Sequence, residues 1–204
     1  MSPLFERSWA RTWLALTGRQ DEARRDELLA RYAEPQRKYH STQHLSECLQ
    51  LCEEFGSLAQ HPAEVEAALW FHDAIYEVKG AGNEERSADW AFDALQTAGA
   101  SPASAALVRD LVLVTRHSAV PAGTDEQLVV DIDLSILGAD RARFDEYEQQ
   151  IREEYAYVPG IIFRHKRRQI LQSFLDRADL YSLPPLKARL EARARENLRR
   201  VIGR

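Results

Sequence analysis

Apolar residues recur every three or four positions along almost the whole chain, and alternation of apolar and polar residues is nearly absent. The first pattern is typical of helices that bury one face, whereas alternation is typical of half-buried strands. Glycine, proline and helix-capping residues separate the helical segments, from 3–17 at the start to 185–202 at the end. The pattern therefore predicts an all-α protein of about nine helices and no sheet.

One segment is ambiguous. Residues 128–137 read Leu-Val-Val-Asp-Ile-Asp-Leu-Ser-Ile-Leu, a run that would also suit a buried strand. Because no other segment offers a partner strand, we predict a short buried helix that ends at Gly138. No internal repeat, low-complexity tract or linker divides the sequence. We expect residues 1–204 to form a single domain, with a core over roughly 35–140 and the terminal helices packed on it.

Composition narrows the class of protein. The chain has 204 residues, of which 45% are hydrophobic and 29% charged, as in ordinary soluble proteins with a sizeable core. No apolar stretch approaches the roughly 20 residues of a membrane span. Charged residues also interrupt the N-terminus where a signal peptide would be apolar. We expect a cytoplasmic protein with no membrane partner.

The charge balance argues against a dedicated nucleic-acid partner, because 27 basic and 32 acidic residues give a net charge of −5. The distribution is uneven. Seven basic and two acidic residues lie between Lys187 and Arg204, a local charge of +5. We interpret this helix as a solvated face, and the alternative is a contact surface for a phosphate-rich or protein partner.

Cys48 and Cys52 are the two cysteines of the chain, and both share a predicted helical stripe with His44. This spacing makes a metal site conceivable. Free cysteines are nevertheless among the most buried residue types, so we interpret both as reduced thiols of the core.

Charged and imidazole side chains interrupt otherwise apolar segments at four places. Burying a carboxylate without a partner costs several kcal/mol, so Asp73 should contact a cation or several donors. Imidazole nitrogens and carboxylate oxygens together suit a divalent ion, either one or two of Mn, Fe, Co, Ni, Zn or Mg. The four places are His40 with His44, the doublet His72-Asp73, His117, and Asp131 with Asp133.

Each of these residues alone is commonly a capped or hydrogen-bonded group, but their order is more specific. An ordered His…His-Asp…Asp set on an all-α chain resembles the HD superfamily of metal-dependent phosphohydrolases. The resemblance implies a helical bundle of the HD type in which His44, His72, Asp73 and Asp133 bind the metal. Asp131-Ile132-Asp133 permits either aspartate as the last ligand, and we favour Asp133 because the second of such a pair often ligates in this superfamily.

The resemblance also implies roles beyond the ligands. Tyr39-His40 followed by His44 is similar to the arrangement in cyclic-nucleotide phosphodiesterases, which implies His40 as the general acid. His117 occupies the place of the extra histidines in binuclear HD enzymes, where a second ion binds. Asp133 or Glu84 is the candidate for orienting the attacking water, and the ligand Asp73 is also counted among the catalytic residues. Alternatively, Glu84 is one of two acids that favour a helix start.

The segments 70–76, 83–87, 131–138 and 151–155 more narrowly resemble a group of small bacterial proteins described as predicted HD-superfamily phosphohydrolases. The likeness spans most of residues 9–181 and implies no particular substrate. Small alarmone hydrolases also share the ligand order, but they carry a Glu-Asp pair shortly after the doublet that this chain lacks.

The activity that this resemblance implies is hydrolysis, by metal-bound hydroxide, of a phosphate ester or anhydride of a nucleotide or related small molecule. For the substrate phosphate we predict Arg152, Arg164 and Arg168 as binding residues, and we expect Lys166 and Arg167 to be solvated. Two alternatives stay open: a ligand-binding or protein-interaction module without turnover, and a di-iron enzyme with oxidative chemistry. The oligomeric state is also open, because one set of apolar residues suits either a core or an interface: Trp9, Trp13, Leu186, Leu190, Leu198 and Val201.

Overall fold

The computed structural model describes residues 2–203, and within that range it contains helices and no strand. The all-α prediction is therefore confirmed, with ten α-helices where about nine were expected. Three short 3₁₀ helices lie at Gly56–Leu58, Val114–Arg116 and Leu134–Gly138. The α-helices are α1 (Pro3–Thr17), α2 (Glu22–Tyr32), α3 (Thr42–Phe55), α4 (Pro62–Phe71), α5 (Asn83–Ala98), α6 (Pro102–Leu113), α7 (Thr124–Asp133), α8 (Arg141–Glu154), α9 (Gly160–Leu175) and α10 (Pro184–Ile202).

Helix α4 runs through the centre of the core. Every residue from Val65 to Phe71 is buried, and α1, α3, α5, α6 and α7 pack around the helix. A helix that is apolar on all sides is stable only when it is surrounded in this way. Its C-terminal end is consequently an interior position, and the His72-Asp73 doublet follows directly after it.

The core extends beyond the expected range of 35–140. Trp9 of α1 stacks on Trp13 with ring centroids 4.5 Å apart and meets Trp70 of α4 edge-on at 5.2 Å. Leu186, Leu190 and Leu198 of α10 belong to the same buried cluster. These tryptophans and leucines, which the sequence left open between core and interface, are therefore core residues.

Two predicted helices have different ends in the structure. The expected helix over 128–137 is helical throughout, but it begins at Thr124 and tightens into the 3₁₀ turn after Asp133. Helix α4 ends at Phe71 rather than continuing through Ile75. The buried guanidinium of Arg37 donates to the carbonyl oxygens of Asp73 and Ala74, which holds this segment as a turn outside the helix.

Most basic side chains of the C-terminal segment bind acids of the same chain. Salt bridges of 2.6–2.7 Å join Lys187 to Asp179, Arg189 to Glu54, Arg195 to Glu191 and Arg200 to Asp145. This internal pairing favours the solvated-face interpretation of α10 over a contact surface for an anionic partner. Among residues 2–203, no helix is long and apolar enough to cross a membrane.

Gly138 is the point where the 3₁₀ turn after α7 meets α10. A Cβ atom at this position would lie 2.7 Å from Leu190 Cβ and 2.8 Å from the Leu190 carbonyl oxygen. We expect Gly138→Ala to destabilise the fold by about 1–3 kcal/mol, because packed helices leave no room for another methyl group. Urea unfolding measures this loss.

The matched control is Gly123→Ala, where a Cβ would meet no atom within 4 Å. This variant should change the free energy of unfolding by less than about 0.5 kcal/mol. Equal unfolding midpoints for the two variants would contradict the close approach of Gly138 and α10.

Candidate metal centre

Three distant segments of the chain deliver imidazole and carboxylate groups to one buried position. His44 lies in the first turn of α3, His72 and Asp73 follow α4, and Asp133 is the last residue of α7. His44 Nε2 lies 3.1 Å from His72 Nε2 and 3.2 Å from Asp133 Oδ1. His72 Nε2 lies 3.1 Å from Asp73 Oδ2 and 3.6 Å from Asp133 Oδ1. The structure thus brings together the four ligands that the sequence predicted.

These spacings fit a shared ion. Bonds of about 2.0–2.2 Å from an ion to nitrogen and oxygen keep neighbouring ligand atoms about 3–3.5 Å apart. Without an ion, two buried Nε2 atoms that face each other and two carboxylates would be unusual, because buried polar groups normally face hydrogen-bond partners. The donor set therefore suits a divalent transition metal or Mg²⁺.

The orientation of His72 is fixed by the backbone. Its Nδ1 lies 2.8 Å from the carbonyl oxygen of Leu69, one turn earlier. A carbonyl only accepts, so Nδ1 carries the proton and Nε2 presents its lone pair to the cluster when the ring is neutral. Hydrogen bonds of this kind commonly set the tautomer of metal-binding histidines.

Cys48 also lies at the cluster. Ligand atoms of His44, Cys48, His72 and Asp133 all lie within 4.8 Å of one another, so this buried group could hold a metal ion. The Cys48 sulfur is 3.7 and 3.8 Å from the two ring nitrogens of His44, a position along neither lone pair. Burial raises the pKa of the Cys48 thiol well above its usual value. Asp73 Oδ2 lies 3.1 Å from His72 Nε2, nearer than the Cys48 sulfur lies to either ring nitrogen of His44, so Asp73 is the better placed fourth donor.

Asp131 lies outside the cluster. Its carboxylate accepts hydrogen bonds from the backbone N–H groups of Ser182 and Leu183 at 2.8–3.0 Å. Burial raises its pKa to about 6, although these hydrogen bonds oppose the change. Of the two aspartates, Asp133 is therefore the one at the candidate metal centre, and Asp131 anchors the turn before α10.

The imidazoles and carboxylates of the cluster shift one another's pKa values. Burial alone would raise the pKa of Asp73, but His72, His40 and His44 outweigh it and hold that pKa well below the usual range. Burial alone would also raise the pKa of Asp133, but hydrogen bonds with His117 and His44 outweigh it and lower that pKa. Burial would lower the pKa of His72, but Asp73 and Asp133 raise it to about 9. The site thus keeps two carboxylates ionised for a cation.

These shifts predict a pH dependence of metal uptake. With a pKa of about 9, His72 is protonated in the metal-free protein at neutral pH, and an ion must displace that proton to reach Nε2. Each unit of pH between about 6 and 8 should therefore raise the apparent affinity for Mn²⁺ about tenfold. Competition with a chelating dye measures the affinity. His165→Ala, on the exposed side of α9, should keep the same slope, and a flat profile would contradict displacement of the proton.

His117 meets the opposite side of Asp133. Its Nε2 lies 3.0 Å from Asp133 Oδ2, whereas Oδ1 of the same carboxylate faces His44. The backbone of His117 is left-handed, with φ of 54°, a conformation that costs energy for a residue other than glycine. This backbone conformation brings the His117 imidazole to the Asp133 oxygen that does not face His44.

His40 is held beside the cluster by a buried acid that the sequence reasoning missed. His40 Nδ1 lies 2.8 Å from Glu154 Oε2, and the ring stacks on Tyr76 with centroids 3.9 Å apart. The other oxygen of Glu154 accepts from three consecutive backbone N–H groups, those of residues 38–40. Burial lowers the pKa of His40, but Asp73 and Glu154 outweigh it and raise the pKa above its usual value.

A signal for Glu154 is present in the sequence. Tyr147, Ile151 and Glu154 are spaced four and three residues apart, which puts an acid on the buried face of α8. Arg37 gave no such signal, because it lies in a loop before α3. Its buried guanidinium spans from the carbonyl of His40 to the turn at Asp73 and Ala74, and so fixes the His40 segment relative to the ligands.

A cavity of about 540 Å³ opens beside the metal centre. His40, Asp73, His117 and Asp133 line it, together with many aromatic and aliphatic side chains from α8 and α9. Glu84 also lines the cavity, whereas Glu85 binds Arg116 at 2.6 Å. Binding sites for small molecules commonly have this size and composition.

The structure does not bring the three predicted phosphate-binding arginines to the cavity. Arg164 and Arg168 are exposed, and Arg152 donates to the carbonyl oxygens of Tyr155 and Val158. Arg167, which was expected to be solvated, is partly buried and lines the cavity, whereas Lys166 lines the cavity but is exposed as expected. Residues 163, 166–167, 170 and 174 share one face of α9, and the predicted residues 164 and 168 are rotated away from it.

No protein-family model, curated protein or solved structure matches this chain.

Proposed function

We propose that this protein is a metal-dependent phosphohydrolase that acts on a phosphate ester or anhydride of a nucleotide or related small molecule. The observation that carries the proposal is the convergence of His44, His72, Asp73 and Asp133 beside a cavity large enough for such a substrate, with Asp73 and Asp133 in the cavity wall. When bound, a divalent ion supplies Lewis acidity to a phosphoryl oxygen and lowers the pKa of a water molecule.

Different residues of the chain donate a proton to the departing oxygen and orient the attacking water. Nδ1 of His40 is engaged by Glu154, so Nε2 is the ring nitrogen that can donate a proton to the departing oxygen. Burial lowers the pKa of His40, but Asp73 and Glu154 outweigh it, and the net rise in pKa favours the protonated ring that an acid catalyst needs. Glu84 lines the same cavity and is the candidate acceptor that orients the attacking water. Hydrolysis then forms one bond from water oxygen to phosphorus and breaks the bond to the departing oxygen.

The disposition of Asp133 supports a second ion. Its two oxygens face different histidines, so one carboxylate could bridge two ions with His117 on the far side. The same arrangement is compatible with the di-iron alternative, which a mixed-valent iron signal in electron paramagnetic resonance would identify. The interaction-module alternative has less support, since the basic side chains of α10 are largely paired within the chain.

The test combines metal analysis with a substrate panel. Purified protein should contain transition metal in near-stoichiometric amount, or take up Mn²⁺, Co²⁺ or Ni²⁺, and the loaded protein should hydrolyse nucleotides or phosphate esters. The double variant His72→Ala with Asp73→Ala should lose both properties, whereas His165→Ala should keep them. A protein that takes up no metal would refute the proposal, and one that binds metal without hydrolysing any phosphorylated compound would favour the module.

A further inference from the structure

The cavity beside the metal centre has an unusual wall for a site that handles phosphate. Phe163, Ile170 and Phe174 of α9 face Tyr147 and Ile151 of α8 around it. Tyr76, Tyr155 and Tyr157 add further aromatic surface. Contact with such side chains stabilises a flat apolar group more than it stabilises sugar hydroxyls or additional phosphates.

Apart from His40 and the proposed metal ion, the cavity offers little positive charge. Arg167 lines it, but its Nε lies 3.1 Å from Glu148 Oε1 and the pair is neutral together. Among the described residues that line the cavity, Lys166 is the one lysine or arginine without a salt bridge to a carboxylate. Glu84 contributes a negative charge to the same space. A chain of three phosphates would therefore meet too few cations, whereas a single phosphoryl group would not.

We infer that the substrate is a phosphate ester with one phosphoryl group and a flat, largely apolar organic group, rather than a nucleoside polyphosphate. This inference rests on the proposed function and specifies its substrate class. The phosphoryl group lies at the metal centre, where His40, Asp73 and Asp133 line the cavity, and the organic group lies against the side chains of α8 and α9.

Ile170 offers a test at the mouth of the cavity. Its side chain lines the cavity yet is 49% exposed, so an acidic replacement should be tolerated by the fold. Ile162 lies on the same helix, is 53% exposed and does not line the cavity, which makes Ile162→Glu the matched control for Ile170→Glu. Both variants add the same charge to α9, but only one adds it to the apolar wall.

The experiment measures kcat/KM of the Mn²⁺-loaded protein for 1-naphthyl phosphate, phenyl phosphate and ATP. The two aryl esters have leaving groups of similar acidity, so their difference reports the contact of the second ring. We expect 1-naphthyl phosphate to be preferred over both others by about tenfold, since apolar burial of one ring is worth more than 1.4 kcal/mol. Ile170→Glu should lower this preference at least about fivefold, and Ile162→Glu should leave it unchanged.

Binding of 1-naphthol, followed by its fluorescence, gives a readout that does not need turnover. If aryl phosphates are hydrolysed without a preference for the larger ring, if ATP is preferred, or if the two glutamate variants behave alike, the inference is overturned while the proposed function stands. If no phosphate ester is hydrolysed but 1-naphthol binds and Ile170→Glu weakens that binding, the proposed function is overturned and the apolar ligand class is supported.

Discussion

Replacing Asp133 by asparagine should weaken Mn²⁺ binding by more than about 100-fold, because even the outer partners of metal ligands commonly contribute 10–100-fold to affinity. The carboxylate of Asp133 faces both His44 and His117. Asparagine replaces this negatively charged group with a neutral amide. Hydrolysis of phosphate esters should disappear together with the metal.

Asp131→Asn is the matched control two residues away. Its carboxylate accepts from Ser182 and Leu183, and an amide retains only one accepting oxygen for these N–H groups. This variant should lose about 1–2 kcal/mol of stability and keep its metal. Metal content by mass spectrometry and urea unfolding separate the two effects. Equal metal affinity in Asp133→Asn and the parent protein would remove Asp133 from the ligand set.

Glu154→Gln should lower kcat by about 100-fold or more while metal content stays unchanged, because proton transfer by a well-placed acid typically contributes 10²–10⁴-fold. Glu154 both orients His40 and raises its pKa. The loss of this carboxylate should lower the pKa of His40, so the alkaline limb of the pH–rate profile should move to lower pH. A merely structural role of Glu154 would leave that limb in place.

Glu153→Gln is the control for this experiment, since Glu153 is exposed on the same helix and contacts Gln149 rather than the site. Its kinetic constants and pH profile should equal those of the parent protein. Glu154→Asp keeps the charge but shortens the side chain, and it should recover the position of the alkaline limb better than the glutamine variant. A normal pH profile in Glu154→Gln would contradict the proposal that Glu154 sets the pKa of a catalytic His40.

The helical class was predictable from patterns within the chain, and the four residues that meet at the cluster were predictable from the resemblance of their order to the HD superfamily. Helical periodicity marked the segments, and His72-Asp73 stood out as polar residues in an apolar run that became the buried helix α4. The choice between Asp131 and Asp133 depended on a turn 50 residues later, where Ser182 and Leu183 bind the first of them. Spacing alone carries no information on such a long-range contact.

The residues around the ligands were harder to predict for physical reasons. On α9, a rotation of about 100° per residue separates Arg167 in the cavity wall from exposed Arg168. Both belong to one basic cluster, and only packing decides which face is inward. Arg37 shows the other difficulty, because a buried arginine whose partners are carbonyl oxygens leaves no charge pattern in the sequence.

The convergence of residues from α3, α4 and α7 also has a thermodynamic consequence. Because His44 and Asp133 lie far apart along the unfolded chain, an ion that requires both has no comparable site until folding is complete. Mass action then makes the ion a stabiliser of the native state, by about 2.7 kcal/mol at a free concentration one hundred times the dissociation constant. The melting temperature should rise with added Mn²⁺ and fall with a chelator. Calorimetry without any substrate therefore reports whether a cation joins these three parts of the chain.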